Sequence, residues 1–284
     1  MGRKATPVAW ESGLVTSRDG TRISFLSAGD GPGLVVIPGN GRRAHHYEAL
    51  ARELSGTHRV HVIDRRGRGG SGPQGPEYRI DDDVDDALAV LAHTRSEAVF
   101  GHSYGGLVGL HLALRHELAA LVVYEPGVSI GGSFDGRWLP EYTRLLGAGR
   151  HNAAMATFLK RTRLAPIGDV PMPVFRALAH LLLHGSDGAE TRALMATTPA
   201  EVGEVVRLDS DGGRYARITS PTLLLGGDRT PVYLTSVLPE LARIIPTARC
   251  VILEGLDHNA PDLNAPAVVA DRIGSFLPSG GGRR

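Results

Sequence analysis

Aromatic residues are scarce, at 5% of the 284 positions, so a core must be assembled from Leu, Val, Ile and Ala. Cysteine is scarcer still. Cys250 stands alone, which excludes a disulfide within the chain and any zinc site built on paired cysteines. Its neighbours Arg249, Val251, Ile252 and Leu253 read as a strand, and a plain buried thiol is expected there. Neither sign of charge is in excess: 31 basic residues face 30 acidic ones, for a formal net charge of +1. That balance gives no electrostatic footprint for nucleic acid or an anionic membrane. No apolar run approaches the length of a membrane span, and none follows Arg3 and Lys4 as a secretory signal requires. No internal repeat is visible. A cytoplasmic protein without nucleic-acid or membrane partners is expected; its oligomeric state is left open.

What is present fits a soluble globular enzyme, with 42% hydrophobic and 21% charged residues. Short apolar runs alternate with longer amphipathic ones, the pattern of a mostly parallel sheet covered by helices. Strands are expected over Val8–Thr16, Arg22–Ala28, Gly33–Ile37, Val60–Ile63, Ala98–Phe100, Leu118–Tyr124, Thr222–Leu225 and Cys250–Leu253. Helices are expected over Arg43–Leu54, Asp81–His93, Tyr104 to about His116, Leu234–Ile244 and Pro266–Leu277. Between the sixth and seventh strands the rhythm breaks. Four amphipathic segments (Pro140–Leu146, Asn152–Leu159, Pro173–Leu183, Glu190–Ala196) follow one another without a strand, over far more residues than a connection needs. The expected organisation is an α/β core from 1–126 and 220–278, a helical cap over 127–219, and a disordered Gly/Arg-rich tail at 279–284.

The segment Gly101-His102-Ser103-Tyr104-Gly105-Gly106 carries the chemistry. It fits G-x-S-x-G between an expected strand and an expected helix. Turning a strand into a helix within one residue forces the serine into an unusual backbone conformation, and the flanking glycines remove side chains that would clash. Ser103 is thereby raised at the carboxyl end of the sheet, over a helix N-terminus whose free N–H groups can receive an oxyanion.

With these residues the chain resembles the α/β-hydrolase superfamily, from about Val8 to Leu277. The resemblance implies a Ser-acid-His triad in that chain order. The base is then expected after the last strand, at His258, to take the proton of Ser103. The acid is expected after the preceding strand, at Asp228, although many relatives carry it one position later, where this chain has Arg229. Glu125, at the end of the strand Leu118–Tyr124, is the alternative acid. The oxyanion donors are expected to be the backbone N–H groups of Tyr104 and Asn40. Asn40 lies in Pro38-Gly39-Asn40-Gly41, where relatives usually read His-Gly.

Two other signals point to structure. Gly67-Arg68-Gly69-Gly70-Ser71-Gly72 spells G-x-G-x-x-G, but Pro73 and Pro76 follow and no helix opens on it, as a dinucleotide site requires. Asp64-Arg65-Arg66-Gly67 instead resembles the arginine-braced Asp-x-Arg-Gly loop of the superfamily. The acidic run Asp81, Asp82, Asp83, Asp85, Asp86 is expected to complement a helix N-terminus. No metal and no organic cofactor is implied. The function expected is hydrolysis of an ester, thioester or lactone of a small molecule through an acyl-enzyme. Alternatives are lyase, cyclase or carbon–carbon bond-cleaving chemistry on the same triad, and a ligand receptor on this scaffold. Serine as nucleophile argues against the dehalogenases and epoxide hydrolases of the superfamily, whose pattern has aspartate there.

Overall fold

A computed structural model describes residues 9–165 and 167–278. Val8 and the tail expected to be disordered lie outside the described residues. The aliphatic runs form one eight-stranded sheet: β1 (Glu11–Thr16), β2 (Arg22–Ala28), β3 (Gly33–Ile37), β4 (Arg59–Ile63), β5 (Ala98–His102), β6 (Ala120–Tyr124), β7 (Thr222–Gly227) and β8 (Ala248–Leu253). Their order across the sheet is β1-β2-β4-β3-β5-β6-β7-β8. β2 runs antiparallel to both β1 and β4, and all pairs from β4 to β8 are parallel. β3 to β7 are almost wholly buried, which explains their unbroken apolar sequences.

Both faces of the sheet are covered. The helices α1 (Glu48–Leu54) and α11 (Pro266–Phe276) bury Leu50, Leu54, Val269 and Ile273 on one face. On the other, α2 (Ile80–Thr94), α3 (Tyr104–Ala113) and α10 (Val237–Ile244) bury Val84, Leu107, Leu110 and Leu241. A 3₁₀ turn, Ala44–Tyr47, opens the first expected helix, and a short helix α9 (Val232–Thr235) precedes α10. Cys250 is half-buried because β8 is an edge strand with one face partly open, which corrects the expectation of a buried thiol.

Between β6 and β7 the chain forms α4 (Leu139–Gly147), α5 (His151–Thr162), α6 (Met172–His184), α7 (Gly188–Leu194) and α8 (Thr198–Arg207). These helices share a small core of their own around Trp138, Tyr142, Leu145, Leu183 and Met195. α8 has no counterpart among the segments expected from sequence.

The loop after β4 is braced by arginines. Arg66 makes a bidentate pair with Asp86, 2.8 Å for each bond, and reaches Asp19 at 2.6 Å. Asp82 caps α2 by accepting from the Arg79 N–H, but Asp83 and Asp86 turn inward and are buried. Part of the acidic run therefore serves buried arginines as well as the helix terminus. Gly67 to Gly72 closes on itself, with Gly67 N–H donating to Gly72 O at 2.8 Å, and no helix begins until Ile80.

Candidate active site

The order β4-β3-β5 places the point where the connections change direction between β3 and β5, and open α/β sheets bind ligands at such a crevice. Ile37 pairs with Gly101, so the loop at Pro38–Asn40 lies directly beside the turn at Ser103. Ser103 sits at φ 55°, ψ −120° between β5 and α3, a left-sided backbone that non-glycine residues adopt rarely. The glycines around it are required. A Cβ on Gly101 would stand 2.4 Å from the Gly105 carbonyl oxygen, and one on Gly105 would stand 2.0 Å from that of Ile37. As the first residue of α3, Tyr104 has an N–H with no intrahelical acceptor.

His258 follows β8 and is buried, 5% exposed. Its Nδ1 lies 2.6 Å from Oε2 of Glu125, a carboxylate with no exposed surface. Glu125 comes immediately after β6 with φ 45°, and its other oxygen accepts the Gly227 N–H at 2.7 Å. A carboxylate accepts only, so Nδ1 of His258 carries the proton and Nε2 is left to receive one. Asp228 lies elsewhere. It is exposed, and its Oδ1 accepts the Gly255 N–H at 2.7 Å in the turn after β8. The expected pairing of Asp228 with His258 is thus corrected: Glu125 takes that place, because β6 ends beside β7 and its positive φ turns the side chain toward the imidazole.

Sequence reasoning overlooked His102 and Tyr47. Nε2 of His102 is 2.8 Å from the His258 carbonyl oxygen, which can only accept, so Nε2 carries the proton. Nδ1 then accepts from Tyr47 Oη at 2.7 Å, and Tyr47 Oη accepts from the Gly39 N–H at 3.0 Å. Burial first, and the adjacent His258 second, hold His102 well below the ordinary histidine range, so it stays neutral. One chain of hydrogen bonds therefore ties the loop after β3 to the serine turn and to the backbone of His258. The histidine at position 102 within the motif was the available signal. Removing the Tyr47 hydroxyl (Y47F) leaves two buried polar groups unpaired. It should cost about 1–3 kcal/mol in urea unfolding. A loss within error would mean the chain of bonds is not formed.

Ser103, His258, Asn40 and Tyr104 all line one narrow cavity that opens in part to solvent. Its other walls are chiefly apolar and include Val128, Phe134, Trp138, Phe158 and Val205, several of them from the helical insertion. A wider groove on the insertion, lined by Arg150, Arg176 and Arg192, shares no residue with it. Among the described residues, His45, His46 and Glu190 bring three potential metal-ligating atoms within 4.8 Å of one another. Arg43 is paired with Glu190, however, and Nδ1 of His46 accepts the Arg43 N–H at 2.9 Å, which puts the proton on Nε2. That arrangement is a neutralised polar contact and is poorly suited to a cation.

A parallel sheet with a serine turn, a carboxylate–histidine pair and an adjacent donor loop defines a class, and the comparison with known proteins agrees. The chain belongs to the alpha/beta hydrolase family, whose model matches residues 34–272. It is 29% identical over 267 residues to a Cronobacter turicensis protein named "Putative carbamate hydrolase RutD", covering 91% of this chain and 94% of that one. It is 25% identical over 262 residues to a 2-(acetamidomethylene)succinate hydrolase of Mesorhizobium japonicum, covering 90% and 91%. A crystal structure of an alpha/beta hydrolase from Sphaerobacter thermophilus superposes with TM-score 0.78 at 28% identity, covering 94% of this chain and all of that one. Among the described residues no helix is long and apolar enough to cross a membrane.

Proposed function

We propose that this chain is a serine hydrolase that cleaves a small uncharged ester, thioester or lactone. Ser103 Oγ attacks the carbonyl carbon, and Nε2 of His258 takes its proton. Glu125 orients the ring and stabilises its charged form. The N–H groups of Asn40 and Tyr104 receive the oxyanion. Collapse of the tetrahedral intermediate expels the alcohol or thiol, which takes the proton from His258. Water, deprotonated by the same nitrogen, then releases the acyl group from Ser103. In this reading the helical insertion is the cap over the acyl-binding space.

The observation that carries the reading is the 2.6 Å contact between buried Glu125 and Nδ1 of His258, whose ring lines the same cavity as a strained serine. Substrate charge follows from the walls. Among the described residues no lysine or arginine lines the cavity, which favours a neutral acyl group over an anionic one. The test is turnover of a panel of short neutral and carboxylate-bearing esters, thioesters and lactones in ¹⁸O water. Neutral compounds should be preferred, with one solvent oxygen in the released acid. Product without solvent oxygen would point instead to lyase or cyclase chemistry on these groups. Binding without any turnover would point to a receptor.

A further inference from the structure

Glu201, on α8 of the helical insertion, is completely buried at the boundary with the sheet. Its Oε2 accepts from Asn40 Nδ2 and from Arg65 Nη2, each at 2.8 Å, and its Oε1 accepts from Arg68. Burial alone would raise its carboxyl, but the charges of Arg65 and then Arg68 prevail and hold it below the ordinary carboxylate range, so it is ionised. Thr198, on the same helix, donates to Asn40 Oδ1 at 3.2 Å. The Asn40 side chain is thus gripped at both ends by one helix of the insertion.

Arg65 extends the arrangement. Its Nε donates to Pro38 O at 2.9 Å and its Nη2 to Gly39 O at 3.1 Å, so the carbonyls of the loop are held on the side opposite its N–H groups. Its guanidinium lies 4.8 Å from the centre of the Tyr104 ring. Both residues expected to stabilise the oxyanion are therefore braced by the ion cluster around Glu201. Position 38 is proline, and the bracing of this loop comes in part from α8 of the insertion.

We propose that Glu201 is a positioning residue that holds Asn40 so that its N–H meets the oxyanion, which makes the docked insertion part of the catalytic geometry. The proposal rests on Ser103 and Asn40 having the roles given above. Substituting Asn40 cuts its side-chain link to Glu201 and spares its backbone N–H, which survives any substitution except proline.

The experiment compares wild type, Asn40→Ala, Glu201→Gln and the double variant with a short-chain p-nitrophenyl ester. Active sites are counted by fluorophosphonate labelling, and affinity for an alkyl boronic acid, which forms a tetrahedral adduct on serine, is measured alongside. Asn40→Ala should lower kcat per labelled site by about 10- to 100-fold and leave KM within about twofold. Boronate affinity should fall by a similar factor. Glu201→Gln should act in the same direction, and the double variant should be no worse than about the poorer single one. Should Glu201→Gln not fold, Thr198→Val takes its place in the cycle.

A merely structural Glu201 would lower the labelled fraction or the melting temperature, with kcat per site unchanged. That result, or losses that multiply in the double variant, would overturn the proposal. If wild type is not labelled at Ser103, the catalytic reading itself fails and the proposal falls with it.

Discussion

Replacing Ser103 by alanine is expected to lower kcat for any ester the enzyme turns over by roughly 10⁴- to 10⁶-fold. Stability should change little, because alanine meets the same backbone constraint at φ 55° as serine does. Intact-mass analysis after fluorophosphonate treatment should give one adduct on wild type and none on the variant. The two readouts guard each other. Labelling that persists in Ser103→Ala would relocate the nucleophile, and unchanged turnover would make Ser103 a structural turn residue only. The magnitude is expected to be large because, among the described residues, Ser103 alone of the serines lines the cavity with His258, and without it water must attack unassisted.

The second large effect separates two carboxylates. Glu125→Gln is expected to lower kcat by about 10⁴-fold. The amide can still accept the Gly227 N–H through its oxygen, which turns its NH₂ group toward Nδ1 of His258. That favours the tautomer with the proton on Nε2, which cannot accept a proton from serine. Asp228→Asn should leave kcat within about twofold, since an amide oxygen can still accept the Gly255 N–H on the surface. Parallel steady-state kinetics of the two variants decide the matter, and a reversed ranking would restore the acid to the end of β7.

The contrast shows where sequence reading stops. Strands β3 to β7 were legible because burial on both faces leaves an almost pure aliphatic record, and the serine turn was legible because only glycines fit around it. Glu125 and Asp228 look alike at that level, each following an apolar strand. What distinguishes them is a backbone dihedral at Glu125 and the N–H of Gly255, neither of which leaves a pattern in the chain. α8 does carry a signal, Thr198-Pro199 at a helix start followed by Val202 and Val205 at helical spacing. Glu201 within it could not have been read as buried. Its partners Arg65 and Arg68 lie 136 and 133 residues away, and an isolated glutamate on a polar helix is ordinarily solvated. The partial exposure of Cys250 is hidden for a related reason: an apolar run does not reveal that its strand ends the sheet.

The position of Glu125 between β6 and the insertion also bears on how this chain can be recombined with its relatives. A chimera that exchanges the insertion at a junction before residue 125 exchanges the carboxylate along with the helices of the insertion. If the donor carries its acid at the end of β7, such a hybrid has none, however well the two halves pack. A junction after Pro126 keeps Glu125 with its own histidine, but it still separates Glu201 from Arg65 and Arg68. Grafts into this scaffold therefore have to be designed as paired exchanges, with the new insertion matched to residues 38–40 and 65–68.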